Sequence, residues 1–97
     1  MKRNRAPSKS TLLVLTELMQ APQYGYGLMQ STGIKSGTLY PILMRLTDRG
    51  FLTSETIEPE TTGRPPRQNY RLTAQGRRYA GEVLDAAKAS GQSGVTA

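Results

Sequence analysis

Arg64 and Arg67 bracket Pro65 and Pro66 directly after Gly63, within the stretch TTGRPPRQNYRLT that runs from Thr61 to Thr73. Two guanidiniums on a stiffened loop suit the capture of oxyanions such as phosphate. Gly63 permits the turn. The prolines hold the tip extended and lower the entropy lost when it docks. A second set lies upstream: Lys35, Ser36, Gly37 and Thr38, then Tyr40, Pro41, Met44 and Arg45. Its hydroxyls and cations can donate to phosphate or to base edges, and Gly37 lets a backbone approach closely. Met44 is apolar among polar neighbours, as a thymine methyl would require. Lys2, Arg3 and Arg5 add charge at the N-terminus. Each residue alone also reads as a cap, a solvated charge or surface filler. Their joint order is what carries the argument.

The whole composition agrees with a polyanion partner. The chain has 97 residues, the length of one domain, with 13 Lys plus Arg against 7 Asp plus Glu and a net charge of +6. It has no Cys and no His. That removes disulfides, Cys/His zinc sites, a catalytic thiol and an imidazole base. An enzyme is therefore not expected, and neither is a cofactor or a metal. No apolar run approaches the roughly 20 residues that cross a bilayer, and no signal-peptide core follows the basic N-terminus. No segment pairs a Lys/Arg-rich face with a bulky apolar one, so a membrane-surface role is not expected either. The chain reads as cytoplasmic.

Several elements must position these groups. Residues 1–8 read as a flexible basic arm. Ser8 or Ser10 can cap a helix over roughly 9–21 whose buried set is Leu12, Val14, Leu15, Leu18 and Met19. Leu13 falls off that face; it is either an exposed singleton or a contact for a later helix or a second subunit. Tyr24 to Thr32 reads as a short helix with Tyr24, Leu28 and Met29 inward, ended by Gly33 in a left-handed turn. Ser36 can cap the next helix, which runs to about Arg49. Leu39, Ile42, Leu43 and Leu46 recur at i, i+3, i+4 and i+7, the spacing of one buried face. Pro41 should bend or loosen its start, and Gly50 should stop it. Phe51–Ile57 and Arg67–Leu72 read as two strands joined by the Pro-rich loop Glu58–Pro66. Thr73 can cap a last helix over 74–90 with an apolar side of Tyr79, Ala80, Val83, Leu84 and Ala87. Residues 91–97 read as a disordered tail.

Helix, short helix, helix, hairpin, helix is the order of a winged helix-turn-helix over 9–73: mostly α with a small β-hairpin wing, plus one C-terminal helix. In that arrangement the stripe packs inward and the opposite face of the third helix enters the major groove of double-stranded DNA. The wing tip lies beside it and reaches phosphates or the minor groove. Glu55, Glu58 and Glu60 on the ascending side either screen that charge or turn away. A winged domain can also serve as a protein-interaction module without specific DNA binding, since fold does not fix function.

At this point the residues resemble a known family. YGYGLMQSTGIKSGTLYPILMRLTDRGFL followed by TTGRPPRQNYRLTAQGR is similar to the PadR-type transcriptional regulators, over roughly Leu12 to Leu84. The resemblance implies a repressor that binds a palindromic operator as a homodimer. It implies that the last helix makes most of the dimer contact, through Tyr79, Ala80, Val83, Leu84 and Ala87, with Leu13 of the first helix joining it. The sequence departs from the family in Tyr24, where a His is common, and in Gly27, where an acidic residue often stands. The single C-terminal helix resembles the short subclass, whose members can bind a small-molecule inducer between subunits, often on a Trp. This chain has no Trp, which leaves an inducer without support.

Overall fold

The computed structural model describes residues 7–59, 63 and 65–89. Arg3, Arg5, Glu60, Arg64 and the tail 91–97 lie outside the described residues. Element by element the chain is α1 (Lys9–Gln20), β1 (Gln23–Tyr24), α2 (Gly25–Thr32), α3 (Ser36–Asp48), β2 (Leu52–Ile57), β3 (Arg67–Leu72) and α4 (Ala74–Ala89).

Ser8 opens α1. Its Oγ accepts from the Thr11 backbone N–H at 3.1 Å, which satisfies one donor that the helix leaves unpaired. Thr11, Val14, Leu15 and Leu18 are the buried residues, again i, i+3, i+4 and i+7. Met19, expected inside, is exposed. At about 100° per residue it sits about 90° from the centre of that stripe, Leu12 is only half-buried at the margin, and Leu13 faces nearly the opposite way. The helix stops at Ala21, which is extended because Pro22 follows.

The extended chain at Pro22 leads into β1, which the sequence reading missed. Tyr24 was expected within the short helix; instead Gln23 and Tyr24 pair antiparallel with Tyr70 and Asn69 of β3. The hairpin therefore becomes a three-stranded sheet in the order β1-β3-β2. Leu28 is buried from α2, and Gly33 ends that helix at φ 76° with its N–H on the Met29 carbonyl. Gly33 thus takes the left-handed role expected of it.

In α3, Leu39, Ile42, Leu43 and Leu46 are all buried, forming one core with Val14, Leu15 and Leu18 of α1, Leu28 of α2, Ile34, Leu52 and Leu72 of the sheet, and Ala80 of α4. Ser36 is not the cap. Lys35 holds that position without a side-chain bond, and its carbonyl accepts from both Thr38 at 3.0 Å and Leu39 at 2.9 Å. The helix runs on through Pro41. Pro41 has no N–H to give the Gly37 carbonyl, and Gly37 is exposed, so water can take the missing donor's place.

The end of α3 turns sharply. Gly50 adopts φ 84°, its N–H donates to the Thr47 carbonyl, and the Phe51 N–H donates to the Leu46 carbonyl at 2.9 Å. This pair of bonds is a Schellman motif. β2 then pairs with β3 from Leu52↔Leu72 to Ile57↔Arg67. Thr73 starts α4 as expected: its Oγ1 accepts from the Gly76 N–H at 2.9 Å. The same hydroxyl donates to the Gly50 carbonyl at 2.7 Å.

Candidate nucleic-acid interface

Opposite the buried stripe, Lys35, Ser36, Gly37, Thr38, Tyr40, Pro41, Met44 and Arg45 are all exposed on α3 and its entry. The helical period brings Gly37, Tyr40, Pro41, Met44 and Arg45 to one side, and Lys35, Ser36 and Thr38 stand at the helix entry. Met44 is 64 % exposed, an unusual place for a large apolar side chain. Gly37 has open space around it, so none of the described residues demands a glycine there. A side chain at that point would project only toward whatever approaches the helix.

Beside this face lies a groove of about 600 Å³, lined by Tyr24, Gly25, Tyr26 and Gly27 from the start of α2, Tyr40 from α3, and Pro66, Arg67, Gln68 and Tyr70 from the wing base. β1 makes this possible by pinning the start of α2 against β3. The Tyr40 ring packs on Gly25 so closely that a Cβ there would overlap its hydroxyl. The Arg67 guanidinium sits 5.4 Å from the centroid of Tyr24, a cation–π contact that holds its charge at the groove's rim. Burial pushes the Tyr70 phenol above its ordinary range, and the neighbouring Tyr40 adds to the shift. Tyr70 is therefore a neutral phenol at physiological pH, able to donate. Glu55 sits on β2, the edge strand that contributes nothing to this groove.

The sequence reading named Tyr40 and Arg67 but missed Tyr24, Tyr26, Gln68 and Tyr70. The alternation Tyr-Gly-Tyr-Gly was the available signal. It places aromatic rings where only glycine lets another chain approach. In the wing, Gly63 takes φ 94° and Pro65 is exposed. Gln68 Nε2 donates to Thr56 Oγ1 at 2.9 Å across the hairpin, bracing its base. Arg64 lies outside the described residues, as do Arg3 and Arg5.

Of the residues assigned to a dimer contact, Leu13 is 44 % exposed and Val83, Leu84 and Ala87 are partly exposed. Ala80 is 0 % exposed in the chain's own core and has no side-chain surface left to offer. The Tyr79 ring is stacked on Phe51 of the same chain.

A capped helix with a buried stripe and a free polar face, preceded by a short helix and followed by a hairpin, defines the winged helix-turn-helix class. Comparison with known proteins places it further. Residues 14–82 match the model of the transcriptional regulator PadR-like family. A PadR-like transcription factor from Bacteroides fragilis is similar at 30% identity, over 86% of this chain and 84% of that one, with a TM-score of 0.75. A PadR family transcriptional regulator from Eggerthella lenta is similar at 34% identity, over 90% and 82%, with a TM-score of 0.68. A PadR family regulator from Clostridium difficile shares the fold at 20% identity, over 88% and 93%, with a TM-score of 0.76. No curated protein matches the sequence significantly. The chain belongs to the PadR-like family of transcriptional regulators, which are DNA-binding proteins and not enzymes. Among the described residues, no helix is long and apolar enough to cross a membrane.

Proposed function

We propose that this chain is a cytoplasmic repressor that binds a palindromic operator as a homodimer. One observation carries the DNA reading: every residue from Lys35 to Arg45 that is not part of the core stripe is exposed, with Gly37, Tyr40, Pro41, Met44 and Arg45 opposite that stripe and beside an arginine-bearing wing. The N-terminal turns of α3 enter the major groove. Ser36, Thr38 and Arg45 read base edges or hold phosphates, and Met44 meets a thymine methyl. The tyrosine-lined groove straddles the sugar–phosphate backbone, with Tyr26, Tyr40 and Arg67 as donors. Gly63, Arg64 and Pro65 form the wing tip that reaches the adjacent minor groove, and the arm with Arg3 and Arg5 adds phosphate contacts.

The dimer reading rests on α4. It has 16 residues, of which only Gly76 and Ala80 are buried. Beyond Ala80, Val83 and Leu84 pack against the edge of the core but stay partly exposed, so the far end of the helix leaves apolar surface in water. Val83, Leu84 and Ala87 continue its apolar side, and α1, which packs on α4, carries the exposed Leu13. A second copy laid against this surface covers all four residues.

The test is a fluorescence titration with the duplex upstream of the chain's own gene, against a scrambled duplex at moderate salt. Preference for the former by tenfold or more is expected. Equal affinity refutes sequence reading and favours a protein-interaction module. Sedimentation should give twice the 10.6 kDa chain mass, and a monomer refutes the dimer. A reporter fused to the operator should rise when the gene is deleted, whereas a fall would make the protein an activator.

A further inference from the structure

We propose that Arg49, Phe51 and Tyr79 are positioning residues that fix the angle between α3 and α4, and with it the half-site spacing that two copies can read. The proposal rests on the homodimer reading. The corner between the two helices is pinned first at a point. The Thr73 N–H donates to the Phe51 carbonyl at 3.0 Å, and Thr73 Oγ1 donates to the Gly50 carbonyl at 2.7 Å. Gly76 lies so close to Phe51 that a Cβ would overlap the Phe51 carbonyl. Ala80, Val83 and Leu84 then seat the inner side of α4 on the core and on α1, which leaves its flank toward α3 to be fixed separately.

The second fixation comes further along. The Tyr79 ring lies on the Phe51 ring with centroids 4.2 Å apart and planes 10° from parallel. The Arg49 guanidinium covers both, 5.0 Å from the Phe51 centroid and 5.3 Å from that of Tyr79. Arg49 caps the end of α3, Phe51 enters β2, and Tyr79 stands in the second turn of α4. The stack therefore ties the exit of one helix to the flank of the other. Close packing does not do this job on that side. A hollow of about 370 Å³, lined by Pro7, Thr11, Arg45, Arg49 and Tyr79 among others, separates α1, α3 and α4 there. Without the stack, Tyr79 has room to move into it.

Small tilts matter because α4 is long. At about 1.5 Å per residue it measures about 24 Å, so a tilt of about 10° moves its far end by about 4 Å. One base-pair step is about 3.4 Å along the axis and about 35° around it. Loss of the stack therefore blurs spacing by about one base pair.

The experiment begins with the site that the wild-type protein selects from a random duplex library. Affinities are then measured for that site with the spacer between half-sites shortened or lengthened by a single base pair. The readout is the ratio between spacers, which uniform loss of a charge leaves unchanged. Wild type should lose about tenfold or more on each altered spacer. Arg49→Met and Tyr79→Leu should lose less than about threefold, while sedimenting as dimers, and Tyr79→Phe should restore the wild-type ratio. Folded Arg49→Met protein that keeps the wild-type ratio overturns the proposal, even if Tyr79→Leu fails to fold. A monomeric wild type overturns the dimer reading and this proposal together. A dimeric wild type indifferent to spacing overturns this proposal alone.

Discussion

Gly25→Ala should weaken DNA binding while leaving stability almost unchanged. Gly25 is the first residue of α2, and its missing side chain is the space that the Tyr40 hydroxyl occupies. The new methyl displaces the end of a flexible side chain that is itself 39 % exposed. Tyr40 can give way toward solvent at a rotamer cost of about 0.5–1.5 kcal/mol. Against this, alanine restricts the unfolded chain and returns about 0.4–1 kcal/mol. The two nearly cancel, so the melting temperature should stay within about 4–8 °C, the shift that ~1 kcal/mol produces in a domain of this size. Binding has no such compensation. A hydrogen bond from Tyr40 to a charged phosphate is worth about 1.5–3 kcal/mol, so losing it costs at least about tenfold in affinity. Tyr40→Phe should cost the same. The double variant Gly25→Ala/Tyr40→Phe should cost no more than Tyr40→Phe alone, because the displaced hydroxyl is already gone. Fluorescence anisotropy with the selected operator measures all four corners of this cycle. Wild-type affinity in Gly25→Ala, or losses that simply add, would refute the placement of Tyr40 on a phosphate.

The remaining predictions use the same operator or thermal melts. Arg64→Ala and Arg67→Ala should each weaken binding to every sequence and lower the slope of log K against log salt by about 0.9 per lost phosphate contact; an unchanged slope rejects the wing contact. Leu43→Ala, in the centre of the buried stripe, should destabilise by about 2–5 kcal/mol. Its neighbour Met44→Ala should stay within about 0.5 kcal/mol in melts and change only the preference for thymine. Gly76→Ala forces a methyl onto the Phe51 backbone, so an overpacking cost of about 1–3 kcal/mol should outweigh the helix-propensity gain of about 1 kcal/mol. Tyr70, its phenol held above 10.0 by burial and then by Tyr40, binds its proton more tightly folded than unfolded. Its contribution is complete below pH 10.0 and disappears as pH climbs through the folded-state value. Urea titrations at about pH 9 and about pH 11 should therefore show a steeper alkaline loss in wild type than in Tyr70→Phe.

What could be read from the sequence was whatever obeys a local rule. The α3 stripe repeats every three to four residues, and only one face of a helix fits that spacing. Ser8 and Thr73 are hydroxyls just ahead of segments with helical apolar spacing, and both cap. Gly33 and Gly50 stand where a helix must stop, and both take positive φ. Other features follow no local rule. Lys35 caps α3 with its backbone alone, so a search for a hydroxyl chose Ser36, one residue late. β1 is two residues long, too short for any period, and exists because β3 offers it a free edge. The tyrosine groove depends on where α2 crosses α3, which neither helix encodes by itself.

The apolar side of α4 shows the limit most clearly. Periodicity identified Tyr79, Ala80, Val83, Leu84 and Ala87 as one face, and it cannot say against what that face packs. In the folded chain the face is divided along its length. Ala80 fills the chain's own core and Tyr79 closes the corner with Phe51 and Arg49. Val83 and Leu84 pack against the edge of that core and stay partly exposed, and they lie on the surface that the proposed second copy would cover. The helix runs on for two further turns past Ala80, and its apolar residues there are only partly buried. A helix end whose apolar side stays half-exposed either frays or gains from a partner. Proteolysis separates these outcomes, since cleavage between Val83 and Lys88 that is equally fast at all protein concentrations would mean fraying, whereas protection that grows with concentration would mean association.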